Sequence, residues 1–214
     1  MGKVVSEFDD VKSEKNGPAI ILIDPQLGNN IGAAARAMLN CGLKDLRLVR
    51  PRDGWPNTAA VKMASGATEV LNNTKVFGNT LEAVSDLNLV LATTARMRDL
   101  SKTVLSPKQA ADWLIDHHAN AGRSGILFGP ERSGLVNDDI VLADAVINVP
   151  LNPNFSSLNL AQAVLLVGYE WFQNGIKLKT LVQGTGRTMA AKVSEREYFY
   201  ERLESELDKS GFLY

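Results

Sequence analysis

The chain has 214 residues, 45% of them hydrophobic and 22% charged, with a formal net charge of −1. That suffices for one domain with an appendage, and the near-neutral balance excludes a protein that coats nucleic acid indiscriminately. No run of eighteen apolar residues and no apolar leader occur, and the lone cysteine, Cys41, rules out an internal disulfide; a membrane span and a secretory signal are not expected, and a reducing cytoplasm is the expected home.

Residues 1–17 are polar and aperiodic and are predicted to form a disordered arm. The run 19–24 (AIILID) has strand length and is apolar on both faces, as a buried parallel strand is. After the polar loop DPQLGNN, residues 31–40 read as an alanine-rich helix ended by Gly42. A second strand spans 46–49, followed by a basic loop; residues 58–71 read as helix with a weak point at Gly66. Val76 and Phe77 form a short strand, 81–86 a short helix and 89–93 a strong strand. The loop TTARMRDLSK leads to Ser106 and Pro107, an N-cap and first-turn proline for a helix to Asn120. A strand at 125–128, the loop GPERSGL and a short helix at 138–143 come before a strand at 145–149.

Pro150 and Pro153 then stop any ladder, since proline has no amide hydrogen to donate. Asn152, Asn154, Ser156, Ser157 and Asn159 crowd the short stretch before a long apolar helix, 158–171. One such side chain caps a helix; five point to a ligand loop. Beyond Gly175 the chain is linker-like until Ser194 and Glu197, a capping box for a helix to Lys209 whose Phe199, Leu203 and Leu207 share one face, expected to dock. Alternating strands and helices predict an α/β parallel sheet with helices on both faces, residues 18–175, followed by an extension at 176–214. Ligands of such sheets sit beyond the carboxyl ends of the strands. Bases bunch at Lys44, Arg47, Arg50 and Arg52, and again at Arg96, Arg98 and Lys102, both on strand-following loops able to grip phosphates.

Several chemistries fall away. His117 and His118 are adjacent and so diverge on a helix, which disfavours metal ligation and a serine triad; no metal is expected. Neither a GxxxxGK[ST] loop nor GxGxxG after the first strand is present, and the glycines of LGNNIG are a weak signal. Cys41 is read as a packing residue.

Three segments, NNIGAAARA (29–37), ILFGPERSGL (126–135) and VPLNPNFSSLNLAQAV (149–164), resemble the three motifs of the SpoU/TrmH branch of the SPOUT superfamily. That resemblance spans residues 18–175 and implies an RNA ribose 2′-O-methyltransferase that uses S-adenosylmethionine and carries a C-terminal deep trefoil knot. Within the branch, TTARMRD, FSSLNLAQAV and YFYERLESELDKSGF look most similar to TrmJ-type enzymes, which implies nucleotide 32 in the anticodon loop of tRNA as the target.

The resemblance implies roles residue by residue. The methyl donor would lie among Thr93, Thr94 and Ala95, Gly129, and the stretch from Val149 through Leu151, Ser156 and Ser157 to Leu158. There main-chain groups would read the adenine and Gly129 would permit close approach. Arg36 matches the arginine used at the transfer step. Because guanidinium groups hold their protons, it is read as a positioned cation for the target phosphate and the developing alkoxide. Asn30 is expected to cap the helix that carries Arg36 and to stand near the substrate. Glu131 would balance a helix dipole or orient Arg36 and its neighbouring loops. Ser157 and Asn159 match the last motif, and spacing leaves Ser156 against Ser157 open. Homodimers with Arg36 of one chain facing the other's cofactor are implied, and Arg50, Arg52, Arg96, Arg98 and Lys102 are candidates for the tRNA face. The same chemistry on ribosomal RNA or another tRNA position remains an alternative, and a non-catalytic RNA-binding knot protein is a different class, disfavoured by the presence of Arg36, Glu131 and Asn159.

Overall fold

Strand-length apolar runs separated by helices assemble, in a computed structural model that describes residues 17–94, 102–120, 122–175 and 193–212, into a seven-stranded sheet. The strands are β1 (Ala19–Ile23), β2 (Leu46–Val49), β3 (Lys75–Phe77), β4 (Leu89–Thr93), β5 (Thr103–Leu105), β6 (Ser124–Phe128) and β7 (Ala145–Ile147). Every ladder is parallel, in the order β3-β2-β1-β6-β4-β7-β5. Alternate side chains of each strand feed opposite faces. Ile20, Leu22, Leu48, Leu91 and Phe128 meet α1 (Gly28–Asn40), α2 (Thr58–Ala64), α3 (Thr68–Asn72), α5 (Pro107–Ala119) and α7 (Leu160–Gly175). Ile21, Ile23, Val90, Leu127 and Val146 meet the short α4 (Thr80–Val84) and α6 (Asn137–Val141).

Three local outcomes differ from the sequence reading. Helix 58–71 is two helices, because Ser65 and Gly66 both take positive φ and break the ladder of amides. A strand, β5, lies at the sheet edge in residues to which the sequence reading gave no element; it has three residues, two of them exposed. Helix α1 starts at Gly28, with Leu27 as N-cap and no side-chain cap. A methyl group at Gly32 would lie 2.2 Å from the Ala60 carbonyl oxygen, so Gly32 lets α1 and α2 touch backbone to backbone, while Gly28 packs against the Asn57 side chain that caps α2.

Elsewhere the signals hold. Ser106 and Gln109 form a capping box at α5 behind Pro107, worth about 1 kcal/mol. Cys41 is buried at the end of α1, and burial pushes its thiol up to about 11, as a packing residue requires.

The chain divides into two compact units, Met1–Lys177 and Leu178–Tyr214. In the second, α8 (Val193–Lys209) leaves Phe199 and Leu203 exposed, and the Ser194 and Glu197 side chains lie outside the described residues. The predicted arm at residues 1–17 falls outside them as well, save Gly17.

Candidate active site

β6, β4 and β7 are neighbours in the sheet, so the segments that leave their carboxyl ends converge although they are far apart in sequence. Between them lies a cavity of about 360 Å³. Its walls include Thr93 and Thr94 from β4, Gly129 to Leu135 after β6, and Val149, Leu151, Ser156, Ser157 and Leu158 after β7. Every described residue assigned from sequence to the donor pocket is therefore at this cavity; Ala95 lies outside the described residues.

The β4 wall is fixed by hydrogen bonds. Thr93 Oγ1 donates to the Leu127 carbonyl at 3.0 Å, and the Thr94 N–H donates to the Ile147 carbonyl at 3.0 Å. Asn148 holds both flanks of the segment 95–101: its Nδ2 donates to the Thr94 carbonyl at 3.1 Å and its N–H to the Leu105 carbonyl at 2.9 Å. The Thr94 N–H is thus engaged within the chain, which leaves the reading of an adenine to other main-chain groups of the three loops.

The β6 wall is a tight turn. The Gly134 N–H donates to the Pro130 carbonyl at 2.9 Å, and Gly134 takes a φ of +71°, which glycine adopts without strain. A Cβ on Gly129 would lie 2.3 Å from the Leu135 nitrogen. The glycine is needed so that the turn can fold back on the strand end, which corrects its assignment to ligand approach.

Glu131, in that turn, ties the site to α1. It accepts the Gln26 N–H at 3.0 Å and Asn30 Nδ2 at 2.6 Å. Asn30 Oδ1 accepts Asn159 Nδ2 at 3.2 Å. Asn159 caps α7, its Oδ1 accepting the Ala161 N–H at 2.9 Å while its own N–H donates to Gln162 Oε1 at 3.2 Å. The three motif segments are therefore linked side chain to side chain. Asn30 is corrected from helix cap to link, because a carboxylate 101 residues away captures its amide. Glu131 likewise holds the loop before α1 instead of balancing a helix dipole.

The polar crowd before α7 sorts itself. Asn152 makes a local turn, its Oδ1 accepting the Asn154 N–H at 3.0 Å, whereas Ser156 and Ser157 both line the cavity. Arg36 is exposed on α1 and pairs with no described residue. At 100° per residue it points about 120° away from Asn30, so it does not face its own chain's link.

The basic clusters divide. Arg47 is corrected from surface cation to buried strut: its side chain is 1% exposed and bonds Asp45, Asp86 and the Ala83 carbonyl. Lys44 pairs with Glu69 at 2.7 Å and Arg52 with Asp53 at 3.1 Å, both at the surface. Arg50 grips Asp24 through two 2.8 Å bonds, and the Asp24 carboxylate raises its pKa. The Lys102 amine donates to the carbonyls of Val141 and Ala143. Arg96 and Arg98 lie outside the described residues. Sequence reading passed over Arg132, Ser133 and Ala163 at the cavity, though the first two sit inside GPERSGL, and over Asn148 and the Gln26 N–H, for which a main-chain role leaves no signal. His118 Nε2 lies 2.7 Å from Ser124 Oγ and against Trp171, in keeping with a structural role. Among the described residues no group of three His, Cys, Asp or Glu could hold a metal ion.

A model of the SpoU rRNA Methylase family matches residues 17–169. A tRNA (cytidine/uridine/adenosine-2′-O-)-methyltransferase, TrmJ of Pseudomonas aeruginosa, is 35% identical over 202 residues, 91% of this chain and 78% of its own length. The crystal structure of TrmJ from Z. mobilis ZM4 is 53% identical, with a TM-score of 0.69 over 92% of this chain and 82% of that one. The SpoU methyltransferase AviRb from Streptomyces viridochromogenes, solved in complex with AdoMet, shares the fold at 17% identity, with a TM-score of 0.61 over 78% of this chain and 61% of its own.

Proposed function

The chain belongs to the SpoU rRNA Methylase family, and on that premise we propose that it transfers the methyl group of S-adenosylmethionine to a ribose 2′-hydroxyl of tRNA, at nucleotide 32 of the anticodon loop. The observation that carries this reading is the cavity over β4, β6 and β7, lined by the segments that carry two of the motifs and linked through Glu131, Asn30 and Asn159 to the third.

The residues present fit the donor. The cavity is of small-molecule size, with Ile147, Val149, Leu151 and Leu158 to cover a flat base and Thr93, Ser156 and Ser157 to meet hydroxyl and charged groups. Bound there, S-adenosylmethionine supplies an electrophilic methyl group on a cationic sulfur, and an enclosed, weakly polar pocket favours loss of that charge. Glu131 and Asn30 hold the loop before α1, and Asn159 fixes the start of α7, so the walls are set before the acceptor arrives. Arg36 holds the target phosphate and stabilises the alkoxide that develops as the hydroxyl gives up its proton.

Arg36 acts across a homodimer. Its direction on α1, away from its own chain's link, supports this, as does the exposed apolar face of α7, where Leu165, Leu166 and Tyr169 are 40%, 40% and 49% exposed. Family membership also carries the deep trefoil knot, in which the chain after β7 threads beneath an earlier loop; Asn148, bonded to both flanks of 95–101, supports such a threading. Arg50, Arg52 and Lys102, with Arg96 and Arg98, provide the tRNA face. Among the described residues no helix is long and apolar enough to cross a membrane, and the protein acts where tRNA matures, in the cytoplasm.

Tritiated methyl transfer to bulk tRNA tests the reading. Arg36→Ala should lower kcat/KM by roughly 10²–10³, the usual effect of removing one oxyanion-stabilising donor; equal incorporation by variant and wild type removes Arg36 from the mechanism. Nucleoside mass spectrometry of a strain lacking the gene should show loss of the 2′-O-methyl group at nucleotide 32. Its retention transfers the reading to ribosomal RNA or another tRNA position.

A further inference from the structure

Between residues 17 and 175 six arginines are described, and four of them are held by acids: Arg47 by Asp45 and Asp86, Arg50 by Asp24, Arg52 by Asp53 and Arg123 by Asp86. Arg36 and Arg132 pair with none of the described residues, and Arg132 is the one that lines the cavity of its own chain. We propose that Arg132 grips a phosphodiester of the RNA substrate at the mouth of the donor cavity, an inference that rests on the methyl-transfer reading above.

Glu131, its neighbour, is the obvious counter-ion and does not pair with it, because its carboxylate is turned to the loop before α1. Both carboxylate oxygens are taken by the loop before α1, one by the Gln26 N–H and the other by Asn30 Nδ2. The turn that carries Arg132 is also stiff: the Gly134 N–H closes it on the Pro130 carbonyl, and Gly129 packs against the Gly134–Leu135 backbone with no room for a methyl group. Glu131 is held inward by its two bonds, and Arg132, the next residue, is exposed. On a fixed turn only the side-chain rotamers remain to be ordered when the guanidinium binds, and it presents a fork that matches two anionic oxygens.

Two anions could reach it, the carboxylate of the donor and a phosphate of the acceptor. Exposure favours the phosphate: Arg132 lines the cavity and is itself solvent-exposed, where an acceptor with its phosphates attached can reach it.

Arg132→Ala and Arg132→Lys are to be assayed as full-length chains with S-adenosylmethionine and unmodified tRNA transcript, alongside donor affinity by calorimetry and tRNA affinity across a salt series. Arg132→Ala should raise KM for tRNA about tenfold, change kcat less than twofold and leave the donor Kd unmoved, which also shows that the fold is intact. The slope of log affinity against log salt should fall by about one, the loss of one phosphate contact, and Arg132→Lys should restore it. An unchanged tRNA KM and slope overturns the proposal, as does a weakened donor Kd with tRNA binding intact, which would assign Arg132 to the donor carboxylate. Wild-type protein that methylates no RNA overturns the methyl-transfer reading itself.

Discussion

The two ends of the parallel sheet carry similar residues and treat them in opposite ways. At the amino end, charges close on one another: Arg47 is buried between Asp45 and Asp86, Arg123 pairs with Asp86 at 2.7 Å, and Asp144 accepts the Val90 N–H at 2.8 Å. At the carboxyl end of β4, β6 and β7 the walls are equally well bonded, yet Ser156, Ser157 and Arg132 remain turned toward an open cavity. A polar group whose partners are all in the chain stabilises; one left without a partner on a rigid wall awaits a ligand. Pairing together with burial, and not the count of charges, separates scaffold from site: Arg47 is paired and buried, whereas Arg50 and Arg52 are paired at the surface, where a phosphate can replace the acid.

That contrast is open to test, and the largest effect belongs to the closed end. Arg47→Ala removes the buried guanidinium, leaving Asp45 and the Ala83 carbonyl without it and Asp86 with Arg123 alone; at about 1.5–3 kcal/mol for each charged hydrogen bond lost, the cost is about 3 kcal/mol or more. A large fall in Tm or in the denaturant midpoint is expected, with kcat/KM per folded molecule nearly unchanged at a permissive temperature. Equal loss of both would erase the distinction between the two ends.

Glu131→Gln is the converse experiment. The amide keeps one acceptor and turns a second donor toward donors already present, so one or both bonds to the Gln26 N–H and Asn30 are lost. Displacement of a site wall by about an ångström costs up to about a hundredfold, which predicts a roughly ten- to hundredfold fall in kcat/KM. Global stability, read by denaturant unfolding, should move far less than in Arg47→Ala.

The smallest effect is one of pH. The hydrogen bond from Arg47, opposed by burial and aided by the charges of Arg47 and Arg123, holds the Asp86 carboxyl below the usual carboxylate range. A carboxyl depressed in the folded state contributes stability that is complete above its unfolded pKa of about 3.9 and is lost as pH falls through the lower folded value. Thermal melts should therefore show wild type losing stability below about pH 4, and Asp86→Asn a flatter profile there with a lower plateau at neutral pH. Parallel profiles would remove Asp86 from the acid response.

Local pattern made most of the sheet legible. Buried parallel strands such as 19–23 and 89–92 are unbroken apolar runs, and Pro107 after Ser106 marks a helix start without help from the rest of the chain. β5 escaped because three residues at a sheet edge, two of them exposed, carry no periodicity. Arg47 misled because a basic residue in a short strand looks the same whether its acids are next to it or, as with Asp86, 39 residues on. The described residues that the motif resemblance assigned to the donor all line one cavity, but physical roles inside it depended on long-range partners. Asn30 looked like a cap until Glu131 was seen to hold it, and Gly129 looked like ligand clearance until the returning backbone was seen to fill that space.

The turn that Gly129 makes room for also tells an engineer where the cavity will yield. A pocket reshaped to take donors with bulkier alkyl groups cannot be opened by substitution at 129, where any added carbon collides with main chain before it meets a ligand. Trimming Leu151 or Leu158, which line the wall after β7, enlarges the space and leaves the tight turn 129–135 in place.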